Sequence, residues 1–302
     1  MHTSTFKDEL GLSNVAQKMK KERRHLMVRR FLSNKLALTG SIIIILILLF
    51  TIIGPLITPH DPYDLHAKNR LLAPSSEYFW GTDNYGRDLL SRVAHGAKVS
   101  IGVGLSVSLI TSILGMIIGL YAAYFHALDN ILMRVCDGLM AFPAILLAIA
   151  IMAAMGPRIE NVIIALSIVF TPYVARTVRS AALVVKEQTY IEALRSQGAS
   201  STRIIWSNMA PNVISPLVVQ ATFIFADSII TEAALSFLGA GTPAPAPSWG
   251  NLLYDGKMVI YNAWWMTVFP GVAIMLTVLG LNLFGDGLRD LLDPHHNKAG
   301  KS

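Results

Sequence analysis

Apolar residues along this chain gather into six long runs, parted by segments rich in charge, glycine or proline. The runs cover 36–57, about 100–124, about 132–155, 162 to about 178, about 213–238 and about 265–284. A helix needs about 20 largely apolar residues to cross the hydrocarbon of a bilayer, so each run predicts one transmembrane helix. The first run is too long for the core of a signal peptide, about 7–15 residues, and no small-residue cleavage site follows it. It is expected to remain as a span. In the fourth run Pro172 lies near the end, with Arg176 and Arg179 behind it, so that helix is expected to stop there. Gly115 and Gly119 in the second run have the four-residue spacing that lets helix backbones approach closely in lipid.

Composition agrees with a membrane protein. Hydrophobic residues make up 53% of the 302 and charged residues 15%, against about 25% charged in soluble domains. The formal charge of +6 is concentrated before the first run, where 9 of the 25 Lys and Arg fall within residues 1–35. Such a cluster beside a span anchors topology, and no soluble domain accompanies it that would support nucleic-acid binding. With the N-terminus inside, segments 1–35, 125–134, 173–211 and 286–302 hold 18 Lys and Arg, and segments 59–98, 156–161 and 239–263 hold 7. The bias predicts that both termini are cytoplasmic. Trp249, Tyr254, Tyr261, Trp264 and Trp265 then form an aromatic belt at the outer surface. The proline-rich stretch 241–248 reads as a stiff outer loop. The single cysteine, Cys136, sits in an apolar run as a small buried hydrophobe.

The connection 173–211 is the longest interior inside segment. Thr189 and Glu192 have the spacing of a capping box, which predicts a helix start. Gly198 suits the left-handed residue that closes a helix. Ser200 or Ser201 can cap a second short helix carrying Ile204, Ile205 and Trp206, which Pro211 is expected to end. Two short helices at a glycine turn, bearing Tyr190, Ile191, Leu194 and Trp206, offer an apolar-aromatic surface that wants lipid headgroups or a protein groove.

Ionisable residues inside spans are expensive and point to function. Asp227 lies near the middle of the fifth run with Glu232 five residues later, and Arg134 and Asp137 lie near the start of the third. Five residues turn a helix by about 500°, so Asp227 and Glu232 cannot easily share one site. Asp227 is the candidate for touching a transport pathway, and Glu232 for a structural role or, failing that, the pathway too. The segment Gly81 to Gly86 followed by Arg87 and Asp88 resembles a phosphate loop but lacks the Lys and Ser/Thr that such a loop needs. Asp83, Arg87, Asp88 and Arg92 read instead as a turn with an ion-pair network. His295 and His296 in the tail, like His60, His66, His95 and His126, have no metal-ligand spacing.

These motifs together resemble a known family. Glu192-Ala193-Leu194, Gly198 and Pro211 match, at the right spacing, the cytoplasmic Glu-Ala-Ala…Gly…Ile-x-Leu-Pro motif of binding-protein-dependent ABC importer permeases. Leu194, Asn208 and Ala210 depart from it. Gly81-Thr82-Asp83…Gly86-Arg87-Asp88 resembles the signature of the C-type permeases of dipeptide, oligopeptide and nickel importers. Segments 234–239, 247–250 and 285–290 resemble further marks of that group.

The resemblance implies an all-α, type I importer permease with about six spans and a short cytoplasmic coupling unit that includes Ala199. It implies a basic cytoplasmic segment 1–35, a membrane domain 36–285 and a cytoplasmic tail 286–302. Such a chain forms half of a translocation pathway in a bacterial or archaeal cytoplasmic membrane. Its implied partners are a second homologous permease, two ATPases holding ATP and magnesium, and an extracytoplasmic binding protein. The chain itself is then no enzyme and carries no metal or cofactor. Two other classes compete. A secondary transporter coupled to ions through Asp137, Asp227 and Glu232 would work without an ATPase, and an intramembrane enzyme would need paired catalytic residues at one depth, which the sequence does not offer.

Overall fold

The computed structural model describes residues 28–292 together with Met19, Glu22, His25 and Leu26. The basic cluster before residue 28 and the tail histidines His295 and His296 therefore lie largely or wholly outside the described residues. The helices are α1 (Lys35–Ile57), α2 (Leu89–Tyr124), α3 (His126–Met140), α4 (Ala144–Met155), α5 (Ile159–Lys186), α6 (Thr189–Ser196), α7 (Ser201–Phe237), α8 (Trp249–Lys257) and α9 (Trp265–Leu292). Five of them are long and apolar enough to cross a bilayer, and the bent pair α3–α4 makes a sixth candidate. Among the described residues the one β-type pairing outside helices is an isolated bridge between Thr82 and Asp88.

Three of the six runs differ from expectation in ways the side chains explain. The third is broken. Helix α3 ends at Met140, and α4 leaves at 92° after Ala141, Phe142 and Pro143. Proline cannot donate to the helix ladder and pushes the residue before it out of the helical region. The fourth run does the opposite and continues through Pro172 to Lys186. A proline inside a span is tolerated where neighbouring helices cover the freed backbone, and here Pro172 is buried against the bundle. The connection to α7 thus begins at Glu187 rather than at residue 173. The second run gains eleven residues at its start, because Asp88 caps α2 by accepting from the Ser91 N–H at 2.7 Å. At 36 residues α2 is about 54 Å long, so its first turns stand beyond the hydrocarbon.

Helices α2, α5 and α7 form the centre of the bundle, and α1 lies along α9. The glycines set these distances. A Cβ on Gly115 would meet Val174 at 2.6 Å, and one on Gly119 the Ala175 carbonyl at 2.6 Å, so α2 and α5 touch backbone to backbone. Gly40 and Gly287 do the same for α1 and α9. One buried apolar cluster joins α2, α5, α6 and α7, and includes Ile191, Ile204 and Met209. A second joins the start of α2 to α8 and α9 around Trp249 and Trp265.

Candidate functional site

At one end of the bundle, α6 and the start of α7 form a hinged unit. Helix α6 begins one residue earlier than the capping-box reading: Gln188 is the cap residue, Thr189 is already helical, and no side chain caps it. The glycine reading holds. Gly198 has φ +78°, and the Gly198 and Ala199 N–H groups bond the Arg195 and Leu194 carbonyls at 3.1 and 3.0 Å, a helix-closing pattern. Ser200 then accepts from the Arg203 N–H at 3.4 Å.

Pro211 does not end the second helix. It sits in the first turn of the regular α-helical part of α7, behind a π-helical turn over Ile204–Met209. A π turn carries one extra residue, which accommodates the missing proline N–H. Asn212 Nδ2 also donates to the Asn208 carbonyl at 2.6 Å and Asn208 Nδ2 to the Arg203 carbonyl at 3.2 Å.

The unit is anchored on one side only. Ile191 is fully buried and Leu194 packs against the same cluster. Glu192, Ala193, Arg195, Gly198 and Pro211 are exposed, Ala199 is half-buried, and Tyr190 and Trp206 are each about 40% exposed, at 42% and 39%. Arg195 stacks its guanidinium over the Tyr124 ring at 5.2 Å, tying the unit to the end of α2.

At the opposite end, the Gly81–Asp88 segment is a buried lock. Asp83 is fully buried. It accepts from the Tyr85 and Arg87 N–H groups at 2.8 and 3.0 Å and from Arg87 Nε at 2.7 Å, and Arg92 Nε lies 3.3 Å away. Arg92 Nη1 reaches the Pro62 carbonyl at 3.1 Å and Arg87 Nη2 lies 3.9 Å from Asp255. Thr82 donates to the Asn69 carbonyl at 2.5 Å, while its own carbonyl takes the indole N–H of Trp265 at 3.1 Å. Gly81 and Gly86 both have φ +76°, and a Cβ on Gly86 would run into the His66 backbone. Burial pushes the Asp88 and Asp255 carboxyls above their usual value; at Asp255 the Arg92 and Arg87 charges pull the other way. The segment is a folded knot that fixes the start of α2 against α8 and α9; Asp83, Arg87 and Arg92 pair as the ion-pair reading expected, while Asp88 serves as the helix cap and has no ion-pair partner among the described residues.

Within the spans, Glu232 and Asp227 part company. Glu232 is fully buried. Its carboxylate accepts from Ser100, Ser236 and Thr242 hydroxyls at 3.0, 2.8 and 3.2 Å, and the Ser100 oxygen also takes the Trp249 N–H at 3.2 Å. This geometry makes Glu232 a tie between α2, α7 and the 239–248 loop, in keeping with the structural role. Asp227 is exposed, and among the described residues its carboxylate has no hydrogen-bond or ion-pair partner. Asp137 pairs with Arg176, and Asp129 with Arg179 at 2.5–2.6 Å, across α3 and α5. The sequence had flagged Asp137 and the two arginines without joining them. Among the described residues no group of His, Cys, Asp or Glu is placed to hold a metal ion.

The chain is a bundle of helices long and apolar enough to cross a membrane, with a jointed helical unit at one end and a rigid knot at the other. Residues 115–298 match the binding-protein-dependent transport system inner membrane component family, and residues 23–74 match the N-terminal transmembrane domain of oligopeptide transport permease C. The chain belongs to this family of importer permeases.

Among curated relatives, a putative peptide transport system permease protein of Brucella abortus is 46% identical over 275 residues, covering 91% of this chain and 93% of the relative. The dipeptide transport system permease protein of Alkalihalophilus pseudofirmus is 44% identical over 262 residues, 86% of each chain. A probable D,D-dipeptide transport system permease protein of Escherichia coli is 40% identical over 266 residues, 88% of each. A solved structure of the MetNI methionine ABC transporter in an inward-facing conformation aligns with TM-score 0.56 at 20% identity, over 67% of this chain and 97% of that one. It shares the type I permease fold. The chain is thus a translocation-pathway subunit of an ATP-binding-cassette importer, and nothing supports an ion-coupled transporter in its place.

Proposed function

We propose that this chain is one of two permeases of a peptide importer in a bacterial or archaeal cytoplasmic membrane, and that it is driven through the α6 unit. The observation that carries this is the one-sided anchoring of α6: Ile191 and Leu194 hold it to the bundle while Glu192, Ala193 and Gly198 face outward at a glycine joint. A helix free on one face suits a groove on a second protein. The partners are two ATPases, which hold the ATP and magnesium; Glu192, Ala193, Gly198, Ala199 and Pro211 form the contact, and Leu194 backs it from the bundle side. A second, homologous permease completes the pathway, and an extracytoplasmic binding protein delivers substrate at the Gly81–Asp88 end. Segments 1–35 and 286–302 are cytoplasmic, in keeping with the Lys and Arg bias. Peptides are the substrate class suggested by the names of the relatives.

Co-purification in mild detergent tests the reading. The tagged chain, expressed with its neighbouring subunits, should bring down a companion permease and two ATPases with ATPase activity. Changing Glu192 and Gly198 together should release the ATPases while the permease pair persists. A chain that purifies alone and transports on an ion gradient would overturn it.

A further inference from the structure

A candidate pathway face can be read from the polar residues that α7 and α5 bring to the surface of the bundle, where the Asp227 carboxylate has no partner among the described residues. On α7, Asp227 lies seven residues after Gln220 and four before Thr231. At 100° per residue these three share one face within about 40°. Val218, nine residues before Asp227, points the opposite way and is 41% exposed. An exposed valine suits lipid; an exposed carboxylate halfway along a span does not.

The polar face continues onto α5. Thr177 donates to Gln220 Oε1 at 3.3 Å, and a cavity of about 430 Å³ is lined by Met140, Tyr173, Arg176, Thr177, Ser180 and Gln220. Arg176 has five N–H donors and, among the described residues, gives one hydrogen bond, from Nη2 to Asp137. The strip thus carries at its α5 end a guanidinium that is paired with Asp137 on one nitrogen and has further donors to give, and at its α7 end an acid without a partner among the described residues. Gln220 and Asp227 are separated by about 10.5 Å of helix rise. That is the span of about three residues of extended peptide.

We propose that a zwitterionic peptide of two or three residues passes along this strip with its carboxylate at Arg176 in the cavity and its ammonium at Asp227. This rests on the peptide-importer reading above. Thr177, Ser180, Tyr173 and Gln220 offer hydroxyl and amide groups to the peptide backbone between the two charges. The ends of the substrate, which every short peptide shares, are held by fixed charges, while its side chains meet few specific contacts.

Two measurements on the complete importer in vesicles test this. The first is labelling with a small, membrane-impermeant charged methanethiosulfonate in a Cys136→Ala background. Asp227→Cys, Gln220→Cys and Ser180→Cys should react and Val218→Cys should not. Equal reaction at Val218→Cys, or none at Asp227→Cys, overturns the proposal. The second is uptake of radiolabelled trialanine and trialaninamide, with the affinity of the binding protein for each measured alongside.

Asp227→Asn should lower trialanine uptake about tenfold, as for loss of one charge-assisted hydrogen bond, and Asp227→Glu should restore most of it. Arg176→Gln should lower uptake of trialanine more than of its amide. Wild-type uptake with Asp227→Asn unchanged overturns the strip and leaves the importer reading standing. A wild-type importer that takes up neither probe overturns the peptide reading itself.

Discussion

Asp83 and Glu192 are both acids in the chain's two most recognisable motifs, yet they live in opposite surroundings. Asp83 is fully buried with two guanidinium groups and two backbone N–H groups on its oxygens. Glu192 is exposed and, among the described residues, its side chain has no partner. Gly86 and Gly198 repeat the contrast. Their φ angles are +76° and +78°, but a Cβ on Gly86 would collide with the His66 backbone whereas one on Gly198 would meet nothing within 4 Å. At one end of the bundle the acid and the glycine are enclosed by the chain itself. At the other end they stand open on the surface. The same residue types are therefore enclosed at one end and open at the other, and the proposed docking role of the open end rests on that difference.

Substitution at Asp83 should separate the ends most sharply. Asp83→Ala leaves Arg87 and Arg92 buried without their shared counter-charge, and removing one side of a buried pair costs about 3–5 kcal/mol. The detergent-solubilised importer should melt far earlier, or the chain should fail to accumulate. Glu192→Ala should move melting by no more than about 0.5 kcal/mol, as surface changes do, and lower ATP-driven uptake. Equal thermal effects would erase the distinction.

The glycine pair gives the next largest effect. Gly86→Ala adds both a left-handed strain and a backbone clash, a loss of about 2–3 kcal/mol. Gly198→Ala adds only the strain, about 1–2 kcal/mol confined to the α6 joint. Thermal melting should therefore separate them, while the ratio of uptake to ATP hydrolysed should fall more for Gly198→Ala. A Gly198 variant that melts as early as the Gly86 variant would mean that the joint is packed after all.

How much of this was legible follows the reach of each interaction. The apolar runs, the left-handed Gly198 and the ion-pairing of the Gly81–Asp88 segment are local, and a few neighbouring residues encode them. The break at Phe142-Pro143 was encoded as locally, but the surrounding apolar run masked it. Pro172 and Pro211 show why local signals mislead: each would stop an isolated helix, and each is accommodated by something outside the rule, burial in the bundle for Pro172 and the π turn of α7 for Pro211. The Glu232 tie was invisible, since Ser100 lies 132 residues away in sequence. Pairings of α3 with α5, such as Asp129 with Arg179, likewise depend on a bend that the sequence pattern did not supply.

The smallest effect belongs to Asp88, where the capping and the charge of one residue can be parted. Its oxygen caps α2 through the Ser91 N–H at 2.7 Å, and burial holds its carboxyl above the usual 3.8. An acid whose folded value is raised gives stability that is full below pH 3.8 and is lost as pH rises through the folded value. Asn caps nearly as well as Asp and does not titrate. Asp88→Asn should therefore melt within about 0.5 kcal/mol of wild type, with any gain appearing at high pH and vanishing toward pH 3.8. Asp88→Ala loses the cap at every pH, about 1 kcal/mol. Melting of the three proteins between pH 4.5 and 8 separates these terms. An Asn variant that weakens at high pH would show that the ionised carboxylate, through its neighbours, is what the knot needs, and would move Asp88 into the same class as Asp83.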